Sequence, residues 1–131
     1  MLVMPPHYAA CGAGTYRMTL TEALAIAGEQ LQARYGSEAI PRQDLVQAVV
    51  RLGSFSESSV LPSDYCYNLV NRADFSFETP LFIREQRAHY RYVGPGFAYS
   101  GPIYWKPRCE PERQVGEWTN GTYRFTHDPR L

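Results

Sequence analysis

The chain has 131 residues, 44% of them apolar, which is enough for one packed core and too little for two comfortable ones. Thirteen basic residues cancel thirteen acidic ones, so no overall field draws the molecule onto nucleic acid or anionic lipid, and any such contact has to come from a local patch. No apolar run approaches the length of a membrane span, and Cys11, Cys66 and Cys109 are too scattered for a disulfide framework or a zinc site, which together fit a reducing cytoplasm.

Residues 1–17 open with a short apolar stretch and lack a basic leader, so they do not read as a secretory signal. They are read as a mobile arm or an upstream extension, with Met18 an alternative start because the ordered pattern begins directly after it. Thr19 stands three residues before Glu22, the spacing of a capping box, and Leu20, Ala23, Leu24, Ala27, Leu31 and Tyr35 then share one face at helical period. Gly36 supplies a left-handed stop. A second helix is predicted in "PRQDLVQAVVRLG", with Pro41 in its first turn, an apolar stripe of Leu45, Val46, Val49, Val50 and Leu52, and Gly53 as terminator. In the serine-rich link that follows, Phe55 and Val60 are expected to plug the corner. Pro62 cannot sit deep inside a helix, so a third helix is predicted from Pro62 to about Asn71.

Alternation then takes over. Leu81 and Ile83 share a face of one strand and Tyr90 and Tyr92 a face of the next, and "REQRAH" between them lacks glycine, so the connection is expected to be longer than two residues. Beyond Gly94 the chain is rich in glycine, proline and aromatic residues. "EWTNGTYRF" predicts a hairpin, because Asn120 and Gly121 accept the positive φ angles of a type I′ turn, and "IYWKPR" is its expected partner strand.

The order helix, helix, turn, helix and two-stranded hairpin over about residues 19 to 94 resembles the winged helix-turn-helix family. The resemblance implies an α+β fold: a three-helix winged domain over 18–94 with a β-hairpin wing. The tail over 95–131 lies outside the resemblance and is read from its own hairpin signal as a small aromatic-rich β extension packed on that domain. The resemblance also implies contact with duplex DNA through the third helix and the wing. On a helix starting at Pro62, Cys66, Leu69 and Val70 face inward with Tyr65 at the margin, leaving Ser63, Asp64, Tyr67, Asn68 and Asn71 outward. Asparagine reads adenine edges, serine bonds either base type, and tyrosine contacts phosphate or stacks. Arg42, Arg72, Arg84, Arg87 and Arg91 would then meet the flanking phosphates.

Each of these residues has a plainer role open to it. Asn71 can cap the third helix, Tyr67 can be a core residue, and the wing arginines can be an ordinary solvated face that discourages edge pairing. Tyr99, Tyr104, Trp105, Trp118 and Tyr123 are read first as packing and second as a slot for a flipped base or a patch for a partner. No nucleophile motif, phosphate loop, metal-binding pattern or defensible carboxylate pair is present, so no enzyme activity, cofactor or metal is expected. The leading expectation is a small DNA-binding protein, a transcriptional regulator or a modified-DNA reader, with homodimers a natural arrangement. The alternative is a protein-interaction or inhibitory module, of a phage or defence-related kind, on the same scaffold, which the zero net charge favours.

Overall fold

Thr19 opens the first helix, α1 (Leu20–Tyr35), and its capping box is complete: the Glu22 amide donates to the Thr19 hydroxyl at 3.1 Å and the Thr19 amide to the Glu22 carboxylate at 2.9 Å. The computed structural model describes residues 17–72 and 75–126. The expectations for residues 1–16, including the N-terminal arm, and for 127–131 lie outside the described residues.

α1 buries Ala23, Leu24, Ala27, Gly28 and Leu31, the face its period foretold, and Gly36 ends it at φ 67°. A two-residue strand, β1 (Ile40–Pro41), leads into α2 (Arg42–Leu52), which buries Leu45, Val46 and Val49. Pro41 stands just before this helix and not within its first turn. Two 3₁₀ turns follow (Glu57–Ser59 and Pro62–Tyr65), and then strands β2 (Leu69–Val70), β3 (Phe82–Gln86), β4 (His89–Tyr92), β5 (Gly101–Trp105), β6 (Arg113–Thr119) and β7 (Thr122–Phe125). The chain is therefore α+β, with a three-stranded sheet in the order β1-β4-β3 and a four-stranded sheet in the order β2-β5-β6-β7.

Each sheet covers its own core. α1 and α2 pack Leu24, Ala27, Leu45 and Val49 against Ile40, Phe82 and Tyr90 of the first sheet. Tyr67, Val70, Phe75, Ile103, Val115 and Trp118 form a second, aromatic core on the other sheet. Val60 is fully buried and Phe55 packs against the first core, as the corner required.

Gly28 lies where the Tyr92 ring crosses α1: a Cβ there would stand 2.4 Å from Tyr92 Cδ1 and 3.0 Å from Phe82 Cε1. Alanine gains about 1 kcal/mol of helix propensity but overpacks by about 1–3 kcal/mol. Gly28→Ala is therefore expected to lower stability by ~1 kcal/mol in a thermal melt. A raised midpoint would show that Tyr92 yields freely.

The predicted third helix does not form. Pro62 starts a single 3₁₀ turn ending at Tyr65, after which the chain is extended. Residues 65–70 are all buried, and a surface helix cannot bury every face, whereas a strand between two neighbours can. Those neighbours are present. On one side Cys66 bridges Phe82 in parallel, the Tyr67 amide donates to the Phe82 carbonyl at 2.8 Å, and the Leu81 amide to the Tyr65 carbonyl at 2.7 Å. On the other, β2 runs parallel to β5, with Leu69 opposite Tyr104 and Val70 opposite Trp105. Residues 65–70 thus stitch the two sheets together, and the aromatic-rich segment joins the rest of the chain through β2.

The hairpin loops divide as their chemistry does. β6 and β7 are joined by the expected two-residue turn, Asn120 at φ 48° and Gly121 at φ 83°. The β3–β4 turn is also short, contrary to expectation: Gln86 pairs with His89, leaving only Arg87 and Ala88 between them. Ala88 takes φ 61°, a conformation usually signalled by glycine or asparagine, and a bulge between Arg84 and Gln86 absorbs the misfit.

Candidate functional site

With no third helix, the residues expected to read DNA bases are redistributed. Tyr67 is 2% exposed; its hydroxyl donates to the Gly94 carbonyl at 2.7 Å and accepts from the Phe97 amide at 3.0 Å. Asn68 is 8% exposed, its Nδ2 donating to the Arg84 carbonyl at 2.7 Å and its Oδ1 accepting from the Arg84 amide at 2.9 Å. The side-chain amide therefore stands in for a peptide group, extending the pairing along β3 as the main chain moves over to β5, where the Asn68 carbonyl accepts from the Tyr104 amide at 3.0 Å. Neither residue can reach a groove of DNA. Asn71 remains exposed, but its amide is held by the Ser63 hydroxyl at 3.1 Å and the Asp64 carboxylate at 2.7 Å.

Most of the expected phosphate contacts are occupied internally. Arg72 pairs with Glu78 at 2.6 Å, Arg84 grips both oxygens of Glu112 at 2.8 Å, and Arg91 binds Glu85. The Glu85 contact and desolvation act in opposite directions on Arg91, and the hydrogen bond, the larger influence, keeps its guanidinium more firmly charged. Arg42 and Arg87 form no ion pair with any described residue. They are also neighbours, since the Arg42 amide donates to the Ala88 carbonyl at 2.8 Å and so brings the start of α2 against the tip of the β3–β4 hairpin.

The aromatic residues read first as packing and second as a slot divide between the two cores. Successive residues of β5 point to opposite faces, so Tyr104 packs towards the first core while Trp105 joins the second. Trp118 is 8% exposed, with its indole N–H donated to the Tyr67 carbonyl at 2.6 Å, and Tyr99 donates to the Pro102 carbonyl at 3.2 Å. Trp105 and Phe75 meet edge to face at 5.4 Å, and the Arg113 guanidinium lies over the Trp105 ring at 5.1 Å. Packing accounts for all three. Tyr123 alone among the aromatics of this group is exposed, at 47%.

Among the concave features of the described residues, one gathers basic side chains from both sheets. An open groove of about 610 Å³ lies between the end of β3 and the end of β5. Asn68 forms its floor, Arg84 to Arg87 one wall, and Tyr104, Lys106 and Glu112 the other. Lys106 and Glu112 were not singled out from the sequence, where 20 or more positions separate them from Arg84 and no local pattern connects them. Only the insertion of residues 65–70 between β3 and β5 makes them neighbours.

Burial pushes the Cys66 thiol well above its usual range, and it donates to the Pro62 carbonyl at 3.5 Å. Burial likewise raises Tyr90 to about 12, so its hydroxyl stays protonated at neutral pH. Among the described residues no group of three or more His, Cys, Asp or Glu side chains could hold a metal ion, and no helix is long and apolar enough to cross a membrane.

Comparison with known proteins finds a match over residues 27–125 to a family described as a domain of unknown function, DUF7225. The chain is 34% identical over 86 residues to YnaC of Bacillus subtilis (strain 168), described as an uncharacterized protein. That similarity covers 65% of this chain and 32% of YnaC, so the matched region amounts to about a third of the relative. No solved structure matches.

Proposed function

This chain belongs to the DUF7225 family, and on that premise we propose that it is a non-catalytic recognition module, a reduced winged helix that grips the phosphate backbone of duplex DNA. The observation that carries the reading is the corner where the hairpin tip meets α2. There Arg42 and Arg87 project from adjoining backbone, joined by the bond from the Arg42 amide to the Ala88 carbonyl, and neither is paired with a carboxylate of the described residues. The order of two helices and a two-stranded hairpin supports it, with β1 fastening the hairpin to the start of α2. In this reading the third helix has contracted to a turn and base readout through it is given up. Contacts to phosphate position a protein without specifying sequence, so binding is expected to tolerate sequence and to weaken with salt. The free thiols of buried Cys66 and exposed Cys109 accord with a reducing cytoplasm.

The test is fluorescence anisotropy with a labelled duplex over a salt series. Arg42→Ala and Arg87→Ala are each expected to weaken binding on every duplex alike and to lower the salt slope by roughly one. Binding that is absent, or that ignores salt, would remove the DNA reading.

A protein-binding module is the second reading, and one feature favours it. β7 is the outer strand of its sheet, and its exposed Tyr123 lies in contact with Phe77 at 5.1 Å and Phe125 at 5.5 Å. An aromatic patch beside mixed charge is how interface centres are built. Failure of the duplex titration would leave this reading in place.

A further inference from the structure

We propose that the groove between β3 and β5 is a binding site for a phosphate-bearing ligand the size of a mononucleotide, adjoining the corner that carries Arg42 and sharing Arg87 with it. The proposal begins with topology. Residues 66–68 run parallel to β3 and β2 runs parallel to β5, so three neighbouring segments point the same way and end together. From that end β3 turns back into β4 on one side, while β5 leads to β6 on the other. Chains that leave parallel neighbours in opposite directions open a crevice at the carboxyl ends, which is why ligands settle at such points in parallel sheets. The groove of about 610 Å³ is that crevice, and it falls within the roughly 300–1,000 Å³ of small-molecule clefts.

Its chemistry selects an anion. Arg84, Arg87 and Lys106 line it against Glu85 and Glu112, and the Glu85 carboxylate is engaged by Arg91. Arg87 and Lys106 are exposed, and the Lys106 ammonium donates only a 3.2 Å bond to the Glu110 carbonyl among the described residues. Arg84 holds Glu112 through one guanidinium nitrogen, Nη2, which donates to both carboxylate oxygens at 2.8 Å, and a guanidinium suits phosphate as well as carboxylate. Glu112 thus occupies the place of the ligand's anionic oxygens, and a phosphate entering the groove displaces it. Half-buried Tyr104 and exposed Gln86 also line the groove, and the Gln86 amide supplies a hydrogen-bond donor and an acceptor.

Calorimetric titration of the full chain with a nucleoside monophosphate, the matching uncharged nucleoside and inorganic phosphate tests the assignment. The monophosphate is expected to bind saturably at millimolar or lower concentration, inorganic phosphate more weakly, and the nucleoside not at all. Lys106→Ala and Arg87→Ala are expected to weaken the monophosphate roughly tenfold, the worth of one charge-assisted contact. Glu112→Gln is expected to do the opposite, tightening it about threefold or more by freeing Arg84 and removing a like charge. A thermal melt of each variant establishes that it is folded. No saturable binding of the monophosphate, equal affinity for inorganic phosphate, or a Glu112→Gln variant that binds no tighter would each overturn the proposal. Arg42→Ala lies outside the groove and is expected to leave monophosphate affinity unchanged. Duplex binding that fails while the monophosphate binds would therefore sink the DNA reading and keep this one.

Discussion

Tyr67→Ala is expected to cost about 3–5 kcal/mol, the range for deleting a buried aromatic side chain, and with total stabilities of about 5–15 kcal/mol usual for a domain it would leave the chain barely folded. The ring is 2% exposed and meets Trp118 at 5.0 Å, Tyr99 at 5.9 Å and Phe97 at 6.2 Å, so its loss opens the centre of the second core. Tyr67→Phe, which keeps the ring, isolates the hydroxyl. It orphans the Gly94 carbonyl and the Phe97 amide and is expected to cost about 1–3 kcal/mol. Urea unfolding of the two variants separates packing from hydrogen bonding. An alanine variant as stable as the parent would mean that Tyr67 lies at the surface after all.

Asn68→Ala is expected to cost about 1–3 kcal/mol, since two part-buried hydrogen bonds vanish and both backbone groups of Arg84 lose them. The loss should also be local in character. Hydrogen exchange at the Arg84 amide is expected to accelerate far more than at Leu24 or Val49 in the helical core, because the side-chain amide is what holds β3 to the second sheet at that point. Uniform acceleration across the chain would mean that Asn68 supports global stability without acting as a seam between sheets.

These two residues also mark where sequence reasoning ends. The Thr19–Glu22 box, the apolar face of α1 and the Asn120–Gly121 turn were legible because each is decided within a few residues. Pro62 was a true start signal, yet it opens a single turn. Nothing local announces that Tyr65 to Val70 will be covered on both sides, since the covering strands β3 and β5 arrive later in the chain. Two-residue β1 carries no periodicity to detect, and Ala88 adopts a turn conformation its type does not signal. The candidate site was legible by halves for the same reason. Arg42, Arg84 and Arg87 could be named from charge alone, whereas Lys106 and Glu112 belong beside them only through a pairing fixed across the middle of the chain.

The parallel pairing of Leu69 with Tyr104 has a consequence for how the molecule is made. On the ribosome, the seam that begins at Tyr65 emerges well before the strand that will flank it, and parallel partners far apart along a chain are slow to find each other. Until β5 is released, Leu69 and Val70 present a raw sticky flank to whatever chain is nearby. The segment beyond Gly94 is thus the late-arriving clasp that closes what came before it.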